Sequence, residues 1–236
     1  MESFENKAEL SSDLFSLTFK NLILMCGWPG TGKTTIANRV AKGIERSYIL
    51  NRDRLRSEIA KSGFIDSVLK KKIAETDVKL YAQAEKLLKP IDMLHIDEFT
   101  ILLQDLTFLE RLQRVETLIL DGTFHSFEKR KRAYWFAEQH GCEPVVIFCT
   151  CSAEKALQRL QHQIEEEEKI FKYPPEEVLK YYHEHFNSLE RDTTCATVIQ
   201  IDTENHQKPA VTIKSIYRPS LFIQRLLKIL EKPDSL

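Results

Sequence analysis

The sequence predicts an α/β fold, a doubly wound parallel sheet with a helical lid. Two observations point there: short apolar runs alternate with segments of helical period, and a glycine-rich turn joins the first run to the first helix. A third is that the chain is 236 residues long and 42% hydrophobic, enough for one sizeable core.

The elements follow in order. Residues 1–18 read as a polar leader, and 19–236 as a single domain. Asn21–Cys26 (Asn-Leu-Ile-Leu-Met-Cys) lacks helical periodicity and suits a strand buried on both faces. Lys33–Gly43 carries Ile36 and Val40, with Ile44 beyond, at the spacing of a helix packed on a sheet. A short strand at Tyr48–Leu50 leads into Asn51-Arg52-Asp53-Arg54-Leu55-Arg56, where another helix begins. Residues 66–89 read as a long helix ended by Pro90, and 90–114 as an insertion with an amphipathic helix around Ile101–Leu112. Thr117–Leu120 is the next buried strand, closed by Asp121-Gly122. Ser126–His140 is helical and stops at Gly141, and Pro144–Thr150 is a core strand. Residues 152–190 are helical, charged and interrupted by Pro174-Pro175, which makes them the lid region. Val198–Ile201 is read as the last buried strand and Pro219–Leu230 as the C-terminal helix.

Composition excludes some functions. With 34 basic and 35 acidic residues the formal charge is −1, so no global field draws the protein to an anionic membrane or a long duplex nucleic acid. The five cysteines include no C-x-x-C pair, which argues against a disulfide framework or a zinc site. A reducing, cytoplasmic compartment is expected. The N-terminus has no basic region followed by an apolar stretch, and no segment reaches membrane-spanning length.

In an open sheet of this kind ligands bind beyond the carboxyl ends of the strands, so the turns at 27–34, 51–56, 121–125 and 151–159 carry the candidate chemistry. Gly27-Trp-Pro-Gly30-Thr31-Gly32-Lys33-Thr34 fits G-x-x-x-x-G-K-[ST] between a strand and a helix. Its glycines let the backbone curl until successive N–H groups face phosphate oxygens, and the helix start adds positive potential. Gly27, Gly30, Thr31, Gly32, Lys33, Thr34 and Thr35 are therefore the expected nucleotide contacts. Lys33 is placed on the β- and γ-phosphates and the Thr34 hydroxyl on Mg²⁺. The motif predicts binding of a nucleoside triphosphate with Mg²⁺ and says nothing of the phosphate's fate.

Two acidic turns compete for the metal-side role. Leu118-Ile-Leu-Asp121 is an apolar strand ending in an acid and flanked by helices; Asp97-Glu98 follows a shorter run containing His95. The flanks favour Asp121. Asp53 can serve as a helix cap or as the base that takes a proton from an attacking hydroxyl.

Taken together, Gly-x-Pro-Gly-x-Gly-Lys-Thr-Thr, then Asn51-Arg-Asp53-Arg-Leu-Arg56, then Asp121-Gly-Thr123 with Glu128-Lys-Arg130 resemble the P-loop kinases related to the bacteriophage polynucleotide 5′-hydroxyl kinase. Zeta toxins and chloramphenicol phosphotransferases are more distant relatives. The resemblance implies a P-loop NTPase of small-kinase type over about residues 20–205. It implies Asp53 as the base, Arg56, Asp121 and Thr123 as acceptor-side residues, and Asp121 with Thr34 at the metal. Arg130 reads more simply as a solvated charge in Lys129-Arg130-Lys131-Arg132.

Kinases of this group carry two lid arginines four residues apart. Arg159 fits the first and completes the expected catalytic set with Lys33 and Asp53, but the second position is Gln163. Lys155, Lys169, Lys172 and Arg191 are the other basic residues that could serve. The alternative for Arg159 is a helix-surface salt bridge. Glu165–Glu168 reads as a solvated face, and His183-x-His185 as no metal pair, because i and i+2 diverge on a helix. Trp28 and His125 flank the cleft, with packing and substrate contact both open.

The activity implied is ATP- and Mg²⁺-dependent transfer to a hydroxyl of a nucleic-acid end, nucleotide or small molecule. Its rivals are an ATPase switch using Asp97-Glu98 and an ATP-binding docking module, the latter prompted by Gln163.

Overall fold

A computed structural model describes residues 20–51, 115–139, 141–167, 174–205 and 207–232. The leader, the 52–114 stretch with Asp53, Arg56, Asp97 and Glu98, and Lys169 and Lys172 lie outside the described residues.

The described elements run β1 (Asn21–Cys26), α1 (Lys33–Gly43), β2 (Ser47–Asn51), β3 (Thr117–Asp121), α2 (Phe127–Gln139), β4 (Glu143–Thr150), α3 (Ala153–Glu167), α4 (Pro175–His185), a 3₁₀ turn (Glu190–Thr194), β5 (Thr197–Asp202), β6 (Ala210–Ser215) and α5 (Leu221–Glu231). They build one sheet in the order β2-β3-β1-β4-β5-β6. The first five strands are parallel, and β6 returns antiparallel on β5. The predicted doubly wound α/β sheet is the observed one.

Strand periodicity divides the core in two. The even-numbered Leu22, Leu24, Leu118, Leu120, Val146 and Val198 pack with Ala133, Tyr134 and Ala137 of α2. The odd-numbered Ile23, Met25, Ile119, Val145, Ile147 and Ile199 pack with Ile36 and Val40 of α1 and Ile223, Leu226 and Leu230 of α5. Both faces are covered, which explains why these strands read as unbroken apolar runs.

The chain winds to one side of β1 through β3 and to the other through β4. The topological switch therefore falls at the carboxyl end of β1, where the glycine-rich turn begins. Helix ends follow local chemistry. Ser220 caps α5 by accepting from the Ile223 N–H at 3.3 Å, and it donates to Glu143 Oε2 at 2.8 Å. The turn after α2 passes through Gly141 at φ +62°, the left-handed conformation that glycine tolerates.

Val198–Ile201 is the last buried strand, as expected, within β5; the sequence reading did not include β6, an edge strand with most residues exposed. It lacks a buried apolar run, yet Val211 and Ile213 alternate with Thr212 and Lys214 and sit opposite Ile201 and Ile199. That period of two was the available signal.

Candidate phosphate site

The turn after β1 is shaped by three glycines with positive φ: Gly27 at 141°, Gly30 at 79° and Gly32 at 77°. A Cβ on Gly27 would lie 2.4 Å from the Cys149 carbonyl oxygen, and one on Gly30 would lie 2.4 Å from that of Ala156. The turn thus lies flat against β4 and the first turns of α3, where only glycine fits. Gly32 N-caps α1, whose own first turn contains no acid to offset the positive end of the helix. This cradle and helix start suit a chain of phosphates.

Lys33 is half-buried, and its Nζ donates to the Trp28 carbonyl at 2.6 Å. Thr31 Oγ1 donates to the same oxygen at 2.7 Å. Burial lowers the Lys33 pKa, and the neighbouring Asp121 carboxylate opposes that shift. An anionic ligand at the turn would act in the same sense as Asp121 and hold the ammonium charged.

Asp121 ends β3 and is buried. Its Oδ2 accepts from Thr34 Oγ1 at 2.8 Å and from Asn51 Nδ2 at 2.6 Å. Asn51 ends β2 and is the register partner of Asp121, so three secondary-structure ends converge on one carboxylate. A hydroxyl beside a carboxylate is a hard-oxygen donor pair of the kind Mg²⁺ takes while keeping waters and substrate phosphates as its other ligands. The residues fit the ion, and among the described residues no cluster of three or more His, Cys, Asp or Glu side chains offers a different metal site.

Thr123 is half-buried in the turn that follows, and its carbonyl accepts from the Gly27 N–H at 3.2 Å. The 121–125 turn is thereby stitched to the phosphate turn. Its far side is held by Arg130, which is wholly buried rather than solvated as the sequence suggested. Arg130 Nε donates to Asp192 Oδ1 at 2.7 Å, and Nη2 to Oδ2 at 3.0 Å. Its Nη1 and Nη2 also reach the carbonyls of Phe124 at 2.9 Å, His125 at 3.3 Å, Asn187 at 3.2 Å and Ser188 at 3.1 Å. Tyr134 donates its hydroxyl to Asp192 Oδ1.

Arg159, on α3, points back to the phosphate turn. Its Nη1 donates to the Gly30 carbonyl at 3.3 Å and to Thr203 Oγ1 at 3.2 Å, and Nη2 donates to the Thr203 carbonyl at 2.6 Å. Gln163 lies one turn further along α3 and is half-buried. Arg191 is exposed and stands over the Phe127 ring, with its guanidinium carbon 5.7 Å from the centroid.

Trp28 packs against Ala156, Leu160 and Leu179, and its ring lies 5.1 Å from that of His183 on α4. His125 meets Tyr182 edge-on at 5.2 Å. Burial and the nearby positive charges of Lys129, His185 and Arg130 lower its pKa. These rings dock α4 against the phosphate turn and the 121–125 turn.

The described site therefore unites Gly27, Gly30, Thr31, Gly32, Lys33, Thr34, Thr35, Asp121 and Thr123 along adjoining turns. Sequence reasoning assigned no role to Asn51 as a partner of Asp121, to Asp192 or to Thr203. Thr203 could have been found by position, since it follows β5 at the carboxyl edge where ligands bind.

A family model described as an AAA domain matches residues 22–189. No curated protein matches the chain. Among solved structures it is similar to Chaetomium thermophilum Kti12 in complex with ADP-AlF3, at 15% identity and TM-score 0.47, covering 89% of this chain and 95% of that one. It is also similar to a fungal RNA kinase, at 12% identity and TM-score 0.45, with coverage of 92% and 83%. The PezAT toxin–antitoxin system of Streptococcus pneumoniae gives 17% identity and TM-score 0.45, with coverage of 96% and 94%. The family model takes in the phosphate turn, β3 and the helices through α4 in one match, and on that match the chain belongs to the AAA-domain family.

Proposed function

We propose that the protein is an ATP- and Mg²⁺-dependent kinase that transfers the γ-phosphoryl group to a hydroxyl of a nucleic-acid end, a nucleotide or a small molecule. The observation that carries this reading is the convergence of Thr34 and Asn51 on the Asp121 carboxylate beside the phosphate turn. Thr34 and Asp121 would hold Mg²⁺, which when bound would supply charge neutralisation at the phosphates. Lys33 moves from the Trp28 carbonyl to the phosphate oxygens, a small displacement for a flexible four-carbon stem.

The acceptor side falls to Asp53, Arg56, Asp121 and Thr123. Asp53 stands two residues after Asn51 in the sequence. Asp53 takes the proton of the acceptor hydroxyl, whose oxygen bonds the γ-phosphorus as the bond to the β–γ bridging oxygen breaks and ADP leaves. Arg56 grips an anionic group of the acceptor. No helix among the described residues is long and apolar enough to cross a membrane.

The test is transfer from labelled ATP to a pooled panel of RNA ends, nucleosides, nucleotide-sugars and metabolites, run beside Asp53→Asn. Label should enter one acceptor class and fall about a hundredfold or more in the variant, the usual contribution of a general base. Undiminished labelling by Asp53→Asn would remove Asp53 as the base. Absence of label in every acceptor, with ATP binding intact, would favour a docking module.

A further inference from the structure

We infer that Arg159, with Thr203, is a positioning residue that pre-organises the phosphate turn for the α- and β-phosphates, rather than a lid arginine that contacts the transferred phosphoryl group. Gly30 and Thr31 lie inside the turn, and both of their carbonyls are captured from the α3–β5 side. Gly30 O accepts from Arg159 Nη1 at 3.3 Å, and Thr31 O from Thr203 Oγ1 at 2.9 Å, the shorter of that hydroxyl's two carbonyl contacts, the other being Thr150 O at 3.1 Å. In a planar trans peptide the N–H points opposite the C=O. Holding the Thr31 carbonyl on Thr203 therefore aims the Gly32 N–H away from Thr203, in the sense a phosphate nest requires. A carbonyl free to rotate inward would present a partial negative charge to the phosphates.

The brace is itself anchored. The Thr203 N–H donates to the Thr150 carbonyl at 2.8 Å, which fixes the residue to the end of β4. Its neighbour Glu204 accepts from the Ser152 N–H at 2.8 Å and from Ser152 Oγ at 3.0 Å, tying the start of α3 to the same turn. Arg159 Nη2 on the Thr203 carbonyl, at 2.6 Å, adds a second tie between α3 and that turn. Thr203 is fully buried, so the node exchanges little with water. Two of the three Arg159 nitrogens are engaged here, and its Nε is buried without an acceptor among the described residues. The side chain is thus oriented by the turn it supports. This assignment concerns nucleotide binding and does not depend on the acceptor.

The two roles predict different affinities. A ligand of the γ-phosphate discriminates ATP from ADP, whereas a brace of the turn serves both. Calorimetric titration of ADP and of ATP, each with Mg²⁺ and without any acceptor, should be run on the wild type, Arg159→Gln, Thr203→Val, Thr203→Ser and the Arg159→Gln/Thr203→Val double variant. Arg159→Gln and Thr203→Val should each weaken ADP and ATP by the same factor, about tenfold or more for a buried hydrogen bond to a charged group or its dependent hydroxyl. Thr203→Ser keeps the hydroxyl and should stay near wild type, an outcome that loss of packing would not give. The double variant should lose little more than the worse single one, because both act through one node. The inference is overturned if Arg159→Gln weakens ATP while sparing ADP, if it leaves both unchanged, or if the two losses add. Should Arg159→Gln fail to fold, the contrast of Thr203→Val with Thr203→Ser decides alone, and equal affinities in those two overturn the inference. Because acceptor is absent throughout, failure here is separate from failure to find a phosphate acceptor.

Discussion

Arg130 and Asp192 stand 62 residues apart in sequence and meet with no exposure to water, Nε 2.7 Å from Oδ1. The pair ties α2 to the 3₁₀ turn before β5, and the remaining Arg130 donors hold the carbonyls of Phe124 and His125. The turn that follows Asp121 and carries Thr123 is thus set from below by a wholly buried charge.

Removing one partner of such a pair strands the other charge in a dry site, which typically costs about 3–5 kcal/mol. Arg130→Ala should therefore destabilise the protein by about that amount in urea unfolding, with the slope unchanged. Arg130→Met combined with Asp192→Leu should recover part of the loss, because no charge is then left unpaired. Equal stability of Arg130→Ala and the wild type would show that water reaches the site.

How much of this was legible from the sequence depends on what set each residue's environment. The phosphate turn was, because its chemistry is local: glycines, a lysine and a threonine at fixed spacing between a strand and a helix. Asp121 was legible because it ends an apolar run. Arg130 was not, since in Lys129-Arg130-Lys131-Arg132 nothing distinguishes the one cation that faces the core. Its burial is decided by Asp192, far along the chain. Thr203 was missed for the same reason, as its partners Arg159, Thr31 and Thr150 come from three other segments. Strand β6 escaped because an exposed edge needs only alternation, a weaker pattern than the unbroken apolar runs of the central strands.

Glycines with the same sign of φ should differ in tolerance according to what surrounds them. Gly30→Ala combines a φ of +79° with a Cβ 2.4 Å from the Ala156 carbonyl oxygen. Gly141→Ala has a φ of +62° but nothing within 4 Å. The second should cost only the backbone strain, about 1–2 kcal/mol. The first should cost more and also abolish measurable ATP binding, since the turn must move off α3. Thermal unfolding with and without ATP checks both. Equal destabilisation by the two variants would mean that the Gly30 contact relaxes freely.

The Thr34–Asp121 pair should reveal itself through magnesium. Thr34→Val removes a hydroxyl donor, and Asp121→Asn removes the carboxylate charge while keeping its shape. Each should lower ATP affinity measured with Mg²⁺ by about tenfold or more, the scale of one interaction with a charged group. Affinity for ATP in excess chelator should change much less. Losses of the same size with and without Mg²⁺ would place these side chains in the turn's architecture instead.

Alkaline stability offers a check on the interior. Burial raises the Cys26 and Cys149 thiols to about 12 and Cys142 to about 11, against an ordinary value of 9.0. Above pH 9 the unfolded thiols ionise and the folded ones do not. The folded state then binds more protons, and stability falls as pH rises through that window. Lys33 acts oppositely: its folded pKa lies below 10.5, so its contribution grows with pH until the unfolded amine also deprotonates. Three thiols outweigh one amine, each group contributing up to about 1.4 kcal/mol per pH unit within its window. Urea unfolding at pH 8 and pH 10 should show a clear loss of stability at the higher pH. Cys149→Ala should be less stable than wild type at pH 8 because of the cavity, yet lose less on going to pH 10. An unchanged pH dependence in that variant would mean the Cys149 thiol ionises in the folded protein as readily as in the unfolded chain.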